Sequence, residues 1–321
     1  MSQLYRLLSA GHRASYRWGW AHTEKLPVPV VVVGNVVAGG AGKTPLVMAL
    51  VAHLQAQGWR PGIVSRGHGR RGKDCREVQP DSLALDSGDE PLLLRQRCGV
   101  PVWVARRRAE AGRALLAAHP DVNLLVCDDG LQHHGLARDV NIAVFDDRGL
   151  GNGWLLPAGP LREAWRPERA DLVLHTGQAP AFAGWRAERR LGEEALAPNG
   201  QRLPLAGLRG RRLMALAGIA RPGAFFEMLA QQGLHLEQAL ALPDHDRLDG
   251  LALPEDPGLT VLCTEKDAVK LFPKHLDRGE RLLAVPLQLR PEAGFWAALD
   301  ERLAPLRPAH PLPSTHGHPT T

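Results

Sequence analysis

Short apolar runs alternate with helix-like segments along the first half of the chain. The run Val28–Val33 is β-branched and uncharged, which is typical of a strand covered on both faces. Later runs of similar character are Gly62–Ser65, Val100–Ala105, Asn123–Cys127 and Asn141–Phe145. The segments between them include predicted helices over residues 45–57 and 106–118. This alternation predicts an α/β fold with a mostly parallel sheet flanked by helices.

A second, shorter series of the same kind follows residues 177–210, which are rich in Ala, Arg, Gly and Pro. Its predicted elements are a strand over 213–217, a helix near 222–232, a strand over 260–263 and a short helix after it. We therefore predict a core domain over residues 26–205 and a smaller C-terminal α/β domain over residues 206–305. The His- and Pro-rich tail, residues 306–321, is predicted to be disordered.

Residues 3–20 are predicted to form an amphipathic helix, because their leucines and their arginines project to opposite sides. Such a helix suits the surface of an anionic membrane, and it equally suits docking on the protein's own core. We predict a membrane-associating helix within residues 1–25.

Composition narrows the class of protein. The 321 residues are 44% hydrophobic and 23% charged, which is globular composition and excludes a disordered or fibrous chain. No run approaches the roughly 18 uncharged apolar residues of a membrane-spanning helix. The net charge of +5 favours an anionic partner without choosing among nucleotide, membrane and nucleic acid. The four widely spaced cysteines indicate neither a zinc site nor a disulfide framework, and a reduced cytosolic protein is expected.

A glycine-rich turn between the first strand and the first helix carries the strongest chemical signal. It reads Gly39-Gly40-Ala41-Gly42-Lys43-Thr44, and it departs from the strict phosphate-binding pattern at Val37, where that pattern has glycine. Backbone N–H groups of such a turn bind phosphate. We expect Lys43 to contact the β- and γ-phosphates of a nucleotide and Thr44 to ligate Mg²⁺. The fold is thus predicted to be of the P-loop NTPase type.

A magnesium-binding carboxylate is expected where another core strand ends. The apolar run 123–127 leads directly into Asp128 and Asp129. We assign Asp128 to the metal, and Asp129 either shares that role or caps the following turn.

Three further segments are unusual for purely structural sequence, and each has an ordinary alternative. Residues 65–71 carry Ser-Arg-Gly-His-Gly-Arg-Arg and could be a solvated basic loop. Residues 88–91, Gly-Asp-Glu-Pro, could begin a helix with Asp89 as its N-cap. His133 and His134, which follow the two aspartates, could be polar loop residues.

Together these segments resemble a known family. The matching motifs are Gly34–Pro45, Ser65–Arg70, Gly88–Pro91, Asp128–His133 and Leu156–Glu163. In this order the motifs are similar to those of the tetraacyldisaccharide 4'-kinases, the lipid A kinases of Gram-negative bacteria. The resemblance runs from the N-terminal helix to about residue 300.

The resemblance implies ATP-dependent phosphorylation of the 4'-hydroxyl of a tetraacylated glucosamine disaccharide 1-phosphate lipid, giving lipid IVA. It implies a peripheral enzyme on the cytoplasmic face of the inner membrane, with a hinge between its two domains. The expected cofactors are ATP and Mg²⁺. We expect a monomer with no nucleic-acid partner.

Roles for individual residues follow from the same resemblance. Asp89 matches the family's proposed catalytic base, His245 matches the histidine thought to pair with it, and Lys43 joins them as the third catalytic residue. The nucleotide is assigned to Gly39, Gly40, Ala41, Gly42, Lys43, Thr44, Pro45 and His133. The metal stays assigned to Thr44, Asp128 and Asp129, and a metal-side role for Glu163 is left open. The acceptor is assigned to Arg66, Glu90 and Arg162.

Two other classes of protein fit parts of the sequence. A regulatory GTPase or metallochaperone NTPase also has such a phosphate turn, but Thr264-Glu265-Lys266-Asp267 does not match the guanine-reading pattern. A nucleic-acid-binding protein would suit the basic charge, but the chain lacks an aromatic-basic recognition module, and aromatic residues are only 5%. Whether Lys266 enters the active site is left open.

Overall fold

The computed structural model describes residues 22–307, together with Gly11, Tyr16 and Trp18. The helix predicted over residues 3–20 and the tail predicted over residues 306–321 lie, but for a few residues, outside this part of the chain. Both therefore stay predictions. Among the described residues, none of the helices combines the length and the apolar composition that crossing a membrane requires.

The strands are short and mostly apolar. In chain order the described ones are β1 (Val30–Gly34), β2 (Pro61–Ser65), β3 (Arg76–Glu77), β4 (Val102–Val104), β5 (Leu124–Asp128), β6 (Val140–Phe145), β7 (Leu172–His175), β8 (Trp185–Leu191), β9 (Glu194–Leu196), β10 (Arg202–Pro204), β11 (Arg212–Ala217), β12 (Leu236–Ala241), β13 (Leu259–Thr264), β14 (Leu282–Val285) and β15 (Leu287–Pro291).

Helices connect and cover these strands. The described α-helices are α1 (Lys43–Ala56), α2 (Ala84–Ser87), α3 (Asp89–Cys98), α4 (Arg108–Ala118), α5 (Pro222–Gln231), α6 (Glu265–Leu271) and α7 (Ala293–Leu303). Short 3₁₀ turns occur at Pro167–Arg169, Leu205–Leu208, Phe272–Lys274, Leu276–Arg281 and Ala304–Leu306.

Two sheets organise the described part of the chain. The larger one has nine strands in the order β15-β8-β7-β6-β1-β5-β2-β4-β3. Its neighbours pair in parallel, except β3 with β4 and β15 with β8 at the two edges. The smaller one has six strands in the order β10-β9-β14-β13-β11-β12, in which β14, β13, β11 and β12 are parallel. Helices pack on these sheets, so the predicted α/β class is confirmed.

The centre of the larger sheet is fully apolar because both of its faces are covered. The four valines of β1 are all buried. On one face α1 and α7 contribute Leu50, Leu54 and Phe295 to a single core. On the other face α4 and residues 131–182 form a second core. The smaller sheet likewise has a core on each face.

The predicted elements of the core are confirmed, with boundaries that differ by at most two residues. Strand β1 begins at Val30 and not at Val28. Pro29 precedes it, and proline has no backbone N–H to donate to a neighbouring strand. The predicted division after residue 205 stays a prediction, but β15 and α7, which follow the smaller sheet in sequence, pack with the larger one.

Candidate active site

The carboxyl ends of parallel strands from both sheets meet at one cavity. In the larger sheet these ends belong to β1, β2 and β5, and in the smaller sheet to β11, β12 and β13. Ligands of open α/β sheets bind at this edge. The cavity has a volume of about 370 Å³. Of the predicted site residues, those that line it are Gly39, Gly40, Ala41, Gly42, Lys43, Thr44, Pro45, Glu90, Asp129, Arg162 and His245.

The glycine-rich turn between β1 and α1 needs left-handed backbone at two positions. Gly39 has φ +94° and Gly42 has φ +89°, a region that other residues adopt only with strain. Val37, where the strict pattern has glycine, is 2% exposed and forms a bridge with Leu161. Val37 therefore packs in the core. Phosphate binding is left to the backbone of the glycines closer to Lys43.

Asn35 organises this turn from inside. Its fully buried side chain donates from Nδ2 to the carbonyl oxygens of Val37 at 2.5 Å and Gly39 at 3.2 Å. Its Oδ1 accepts a hydrogen bond from Lys43 Nζ at 3.0 Å. The Lys43 ammonium also lies 3.4 Å from Asp129 Oδ1, so two partners fix its position beside the turn. Asn35 belongs to the matching motif Gly34–Pro45, but no role for it was predicted from the sequence.

A second support of the turn comes from β7 and β8. Thr176 Oγ1 lies 2.9 Å from the Ala41 carbonyl oxygen and 3.3 Å from that of Phe145, and it donates its one proton to one of them. It accepts from Arg189 Nη2 at 2.7 Å. Burial lowers the pKa of the Arg189 guanidinium. Neither Thr176 nor Arg189 belongs to a sequence motif, and sequence reasoning missed both.

Asp128 ends β5 and is 1% exposed. Its Oδ2 accepts a hydrogen bond from Ser65 Oγ at 3.3 Å, whereas its buried Oδ1 has no partner among the described residues. Burial, and then the charges of Glu90 and Asp129, raise its pKa to about 7. A buried carboxylate oxygen that lacks a partner is suited to a divalent cation, whose charge would offset the cost of burial.

Asp129 has φ +47° and contacts two cations. Arg162 Nη1 donates to its Oδ2 at 3.0 Å, and Lys43 lies on its Oδ1. Burial would raise the pKa of Asp129, but Lys43 and Arg162 outweigh it and hold the pKa below its ordinary value. The ion pairs occupy Asp129, so Asp128 carries the oxygen that is open to a metal, and the metal roles of both stay predictions.

Within the part of the chain that the structure describes, no three His, Cys, Asp or Glu side chains form a group able to hold a metal ion. A site that shares Mg²⁺ with phosphate needs only one or two protein carboxylates. The arrangement around Asp128 fits that kind of site.

Glu163 and His133 are not among the described residues that line the cavity, and Gln132 links Glu163 to the turn. Gln132 Nε2 donates to Glu163 Oε1 at 2.8 Å and to the Asn35 carbonyl oxygen at 3.0 Å. Burial, and then the charges of Arg108 and Arg66, lower the pKa of His133 to about 3, so its imidazole is neutral. Among the described residues that line the cavity, neither His133 nor Arg66 is present, and their binding roles stay predictions.

Asp89 and His245 are 156 residues apart in sequence, and the structure brings them together. Asp89 is the first residue of α3 and is 7% exposed, and His245 follows β12 with φ +61°. His245 Nδ1 lies 3.1 Å from Asp89 Oδ2. Residues 88–91 do begin a helix, but the alternative that Asp89 is its N-cap is wrong, because Gly88 holds that position. The backbone N–H that Asp89 accepts from is that of the adjacent Glu90, at 2.9 Å.

The pKa values of this pair move in opposite directions. Burial would raise the pKa of Asp89, but the hydrogen bond from His245 and the charges of Lys266 and Lys270 outweigh it and lower the pKa. The hydrogen bond to Asp89 raises the pKa of His245, against burial and the Lys266 charge. Asp89 is therefore an ionised carboxylate at neutral pH.

Lys266, left open by the sequence, enters the site. It is the second residue of α6, and its ammonium lies 3.2 Å from Glu90 Oε1 and 3.0 Å from His245 Nε2. Glu90 and Arg162 line the cavity as predicted for acceptor-binding residues, although that role stays a prediction.

Comparison with known proteins identifies one family. The chain matches the family model described as LpxK, tetraacyldisaccharide-1-P 4'-kinase, over residues 1–304. The tetraacyldisaccharide 4'-kinase of Polaromonas naphthalenivorans (strain CJ2) is 57% identical over 325 residues, which cover 100% of this chain and 94% of the relative. That of Acidovorax sp. (strain JS42) is 58% identical over 311 residues, covering 95% and 90%. A crystal structure of LpxK from Aquifex aeolicus in complex with ATP has a TM-score of 0.79 and 28% identity, and the match covers 95% of this chain and 96% of that one.

Proposed function

This chain belongs to the tetraacyldisaccharide-1-P 4'-kinase family, and from that premise we propose how its cavity carries out the reaction. The protein is an ATP-dependent kinase of lipid A biosynthesis, and its acceptor is the 4'-hydroxyl of a tetraacylated glucosamine disaccharide 1-phosphate lipid. The observation that carries the mechanism is the hydrogen bond between Asp89 and His245, because His245 lines the same cavity as the phosphate turn.

The turn binds the β- and γ-phosphates of ATP. Its left-handed backbone at Gly39 and Gly42 and the ammonium of Lys43 provide N–H donors and positive charge. Because Asn35 and Asp129 already hold Lys43, little ordering is needed when the nucleotide arrives. The solved relative in complex with ATP supports this assignment.

Asp128 and Thr44 would hold Mg²⁺, which when bound neutralises charge on the β- and γ-phosphates. The partnerless Oδ1 of Asp128 supports this role. Asp129, which is paired with Lys43 and Arg162, instead balances the cations of the phosphate site.

Asp89 accepts the proton of the acceptor hydroxyl. The new bond joins that hydroxyl oxygen to the γ-phosphorus, and the bond from the γ-phosphorus to the bridging oxygen breaks. Because the pKa of Asp89 is low, the carboxylate takes the proton late, which suits a loose transition state in which the nucleophile carries little charge. His245 holds the carboxylate in place through Nδ1.

The lipid acceptor requires the enzyme to work at a membrane surface. The basic and apolar residues 3–20 and the net charge of +5 support peripheral attachment to anionic lipid. We place the monomeric enzyme on the cytoplasmic face of the inner membrane, where ATP is available.

Incubation of the purified chain with ATP, Mg²⁺ and the disaccharide 1-phosphate lipid tests this function. Mass spectrometry should show one added phosphate, and fragmentation should place it on the distal sugar. Asp89→Asn should lower kcat by about 100-fold or more while ATP affinity is nearly unchanged. The matched control is Asp81→Asn, an exposed aspartate eight positions earlier in the chain, which should retain wild-type turnover. ATP hydrolysis without any phosphorylated lipid would contradict the proposal.

A further inference from the structure

Lys266 reaches the phosphate cavity from the opposite side to Lys43. Strand β13 ends at Thr264, whose hydroxyl caps α6 by accepting from the Asp267 N–H. This places Lys266 in the first turn of α6, at the edge where the smaller sheet faces the phosphate turn. Lys266, Lys43 and Thr44 line the same cavity.

The Lys266 ammonium is held by polar groups and is largely removed from solvent. Its side chain is 14% exposed. It lies 3.2 Å from Glu90 Oε1, 3.3 Å from Asp244 Oδ1 and 3.0 Å from His245 Nε2. Burial would lower its pKa, but the carboxylates of Glu90, Asp89 and Asp244 outweigh burial and raise the pKa, so the group is a cation. These contacts join α6 and the loop after β12, both of the smaller sheet, to α3 of the larger one.

The carboxylates around Lys266 create a problem for phosphate binding. Glu90 and Asp244 line this part of the cavity, and Asp89, which lies behind its lining, has Oδ2 4.0 Å from Nζ. A γ-phosphate that approaches Asp89 would meet this negative charge. Lys43 is engaged with Asp129, so a second cation is needed to make this position favourable. Two lysines lie next to Asp89, and of these Lys266 lines the cavity, whereas Lys270, 3.9 Å from Asp89 Oδ2, does not.

We propose that Lys266 is a catalytic residue whose ammonium binds the transferring γ-phosphoryl group from the smaller sheet, opposite Lys43. This rests on the proposed kinase function. On nucleotide binding, Lys266 exchanges one of its present contacts for a γ-phosphoryl oxygen. It gives up no proton, because the hydroxyl proton goes to Asp89 and the leaving group is ADP. Its charge matters most in the transition state, when charge develops on the phosphoryl oxygens and the bridging oxygen.

Lys266→Met tests the proposal, since it keeps most of the side-chain length and removes the charge. We expect kcat to fall by about 100-fold or more, and the KM for ATP to change by less than about threefold. Lys266→Arg, which retains a cation, should restore part of kcat. The control is Lys274→Met, because Lys274 is half-exposed, pairs with Asp249 and lies outside this cavity.

A binding measurement separates catalysis from a structural role. Affinities of ADP alone and of ADP with aluminium fluoride, both with Mg²⁺, are compared by calorimetry in the wild type and in each variant. Lys266→Met should weaken the aluminium fluoride complex by about 30-fold or more and ADP by less than about threefold. Equal weakening of both complexes, or an unchanged kcat, would overturn the proposal.

Two further outcomes are decisive. If Lys266→Met does not fold, as judged by thermal unfolding, Lys266→Gln replaces it under the same criteria. If the wild type transfers phosphate to the lipid and both Lys266→Met and Lys266→Gln have the same kcat as the wild type, the proposed function stands and the role of Lys266 is refuted.

Discussion

Replacing Asn35 with alanine should loosen the phosphate turn without replacing any residue assigned to the reaction. The change removes two hydrogen bonds to backbone carbonyls and one to the Lys43 ammonium. A buried neutral hydrogen bond contributes about 1 kcal/mol and one to a charged group about 1.5–3 kcal/mol, which together give about 3–5 kcal/mol. Because the site is fully buried, water cannot readily replace the lost bonds.

Chemical denaturation without nucleotide measures this loss as a fall in the free energy of unfolding, and calorimetry measures the accompanying fall in ATP affinity. Asn35→Asp provides a contrast, since it retains an acceptor for Lys43 but cannot donate to the Val37 and Gly39 carbonyls. It also adds a negative charge beside the phosphates, so it should weaken ATP binding more than Asn35→Ala.

The matched control is Asn152→Ala. Asn152 also makes two side-chain hydrogen bonds, donating to the Ala158 carbonyl oxygen and accepting from the Trp154 N–H, but it lies in an exposed loop. Asn152→Ala should therefore lower the free energy of unfolding by less than about 1 kcal/mol. If Asn35→Ala were as stable as Asn152→Ala and bound ATP normally, Asn35 would not be needed to hold the phosphate turn. The hydrogen bond of Thr176 to the turn would then be sufficient to hold it.

Two further predictions concern the core and the Asp89–His245 pair. Leu50→Ala, in the buried face of α1, should lower the free energy of unfolding by about 2–5 kcal/mol. The control Leu276→Ala, at an exposed position, should change it by less than about 0.5 kcal/mol. Equal effects of the two substitutions in denaturant titrations would contradict the packing described. The pKa of His245 is raised in the folded state above its ordinary 6.5, first by the hydrogen bond to Asp89, so the folded state binds this proton more tightly than the unfolded state. This contribution to stability is fully present below the ordinary pKa and is lost as pH rises through the folded one, while Asp89, with its lowered pKa, stays ionised throughout. The stability difference between the wild type and His245→Asn should therefore be larger at about pH 5.5 than at about pH 8.5, and a difference that grows with pH would refute the assignment.

The phosphate turn could be predicted because its determinants are local. A β-branched run, closely spaced glycines and a Lys-Thr pair lie within 15 consecutive residues, Val30–Thr44, and each reports on its own backbone. Asp128 could be placed at the same edge, since the carboxyl ends of parallel strands meet there. The pairing of Asp89 with His245 came from the family resemblance, because nothing local to either residue points to the other.

Two site residues, Arg189 and His245, are positioned by strands with weak patterns. Strand β8 carries Arg189 and lies next to the edge strand β15, and its buried and exposed positions follow no regular order. Strand β12 precedes His245 and is half-buried or exposed along its whole length. Without a continuous apolar run or a strict alternation, neither strand is distinguishable from a loop. The side chains that these strands position therefore could not be assigned to the site from the residues alone.

The path of the chain between the two sheets explains why the site depends on both. The chain crosses from β8 to β9 through Gly192 and Glu193, and it returns from β14 to β15 through the single residue Pro286. The two crossings lie side by side, because Gly192 N–H donates to the Pro286 carbonyl oxygen at 2.8 Å. A rotation of the smaller sheet about this double crossing would carry His245 and Lys266 together, away from Asp89 and Glu90, since the first two are attached to one sheet and the last two to the other. The reverse rotation would form the hydrogen bond from His245 to Asp89 and the contact of Lys266 with Glu90 in a single movement. A substitution that stiffens or lengthens the crossing should therefore alter both contacts at once and leave the phosphate turn intact.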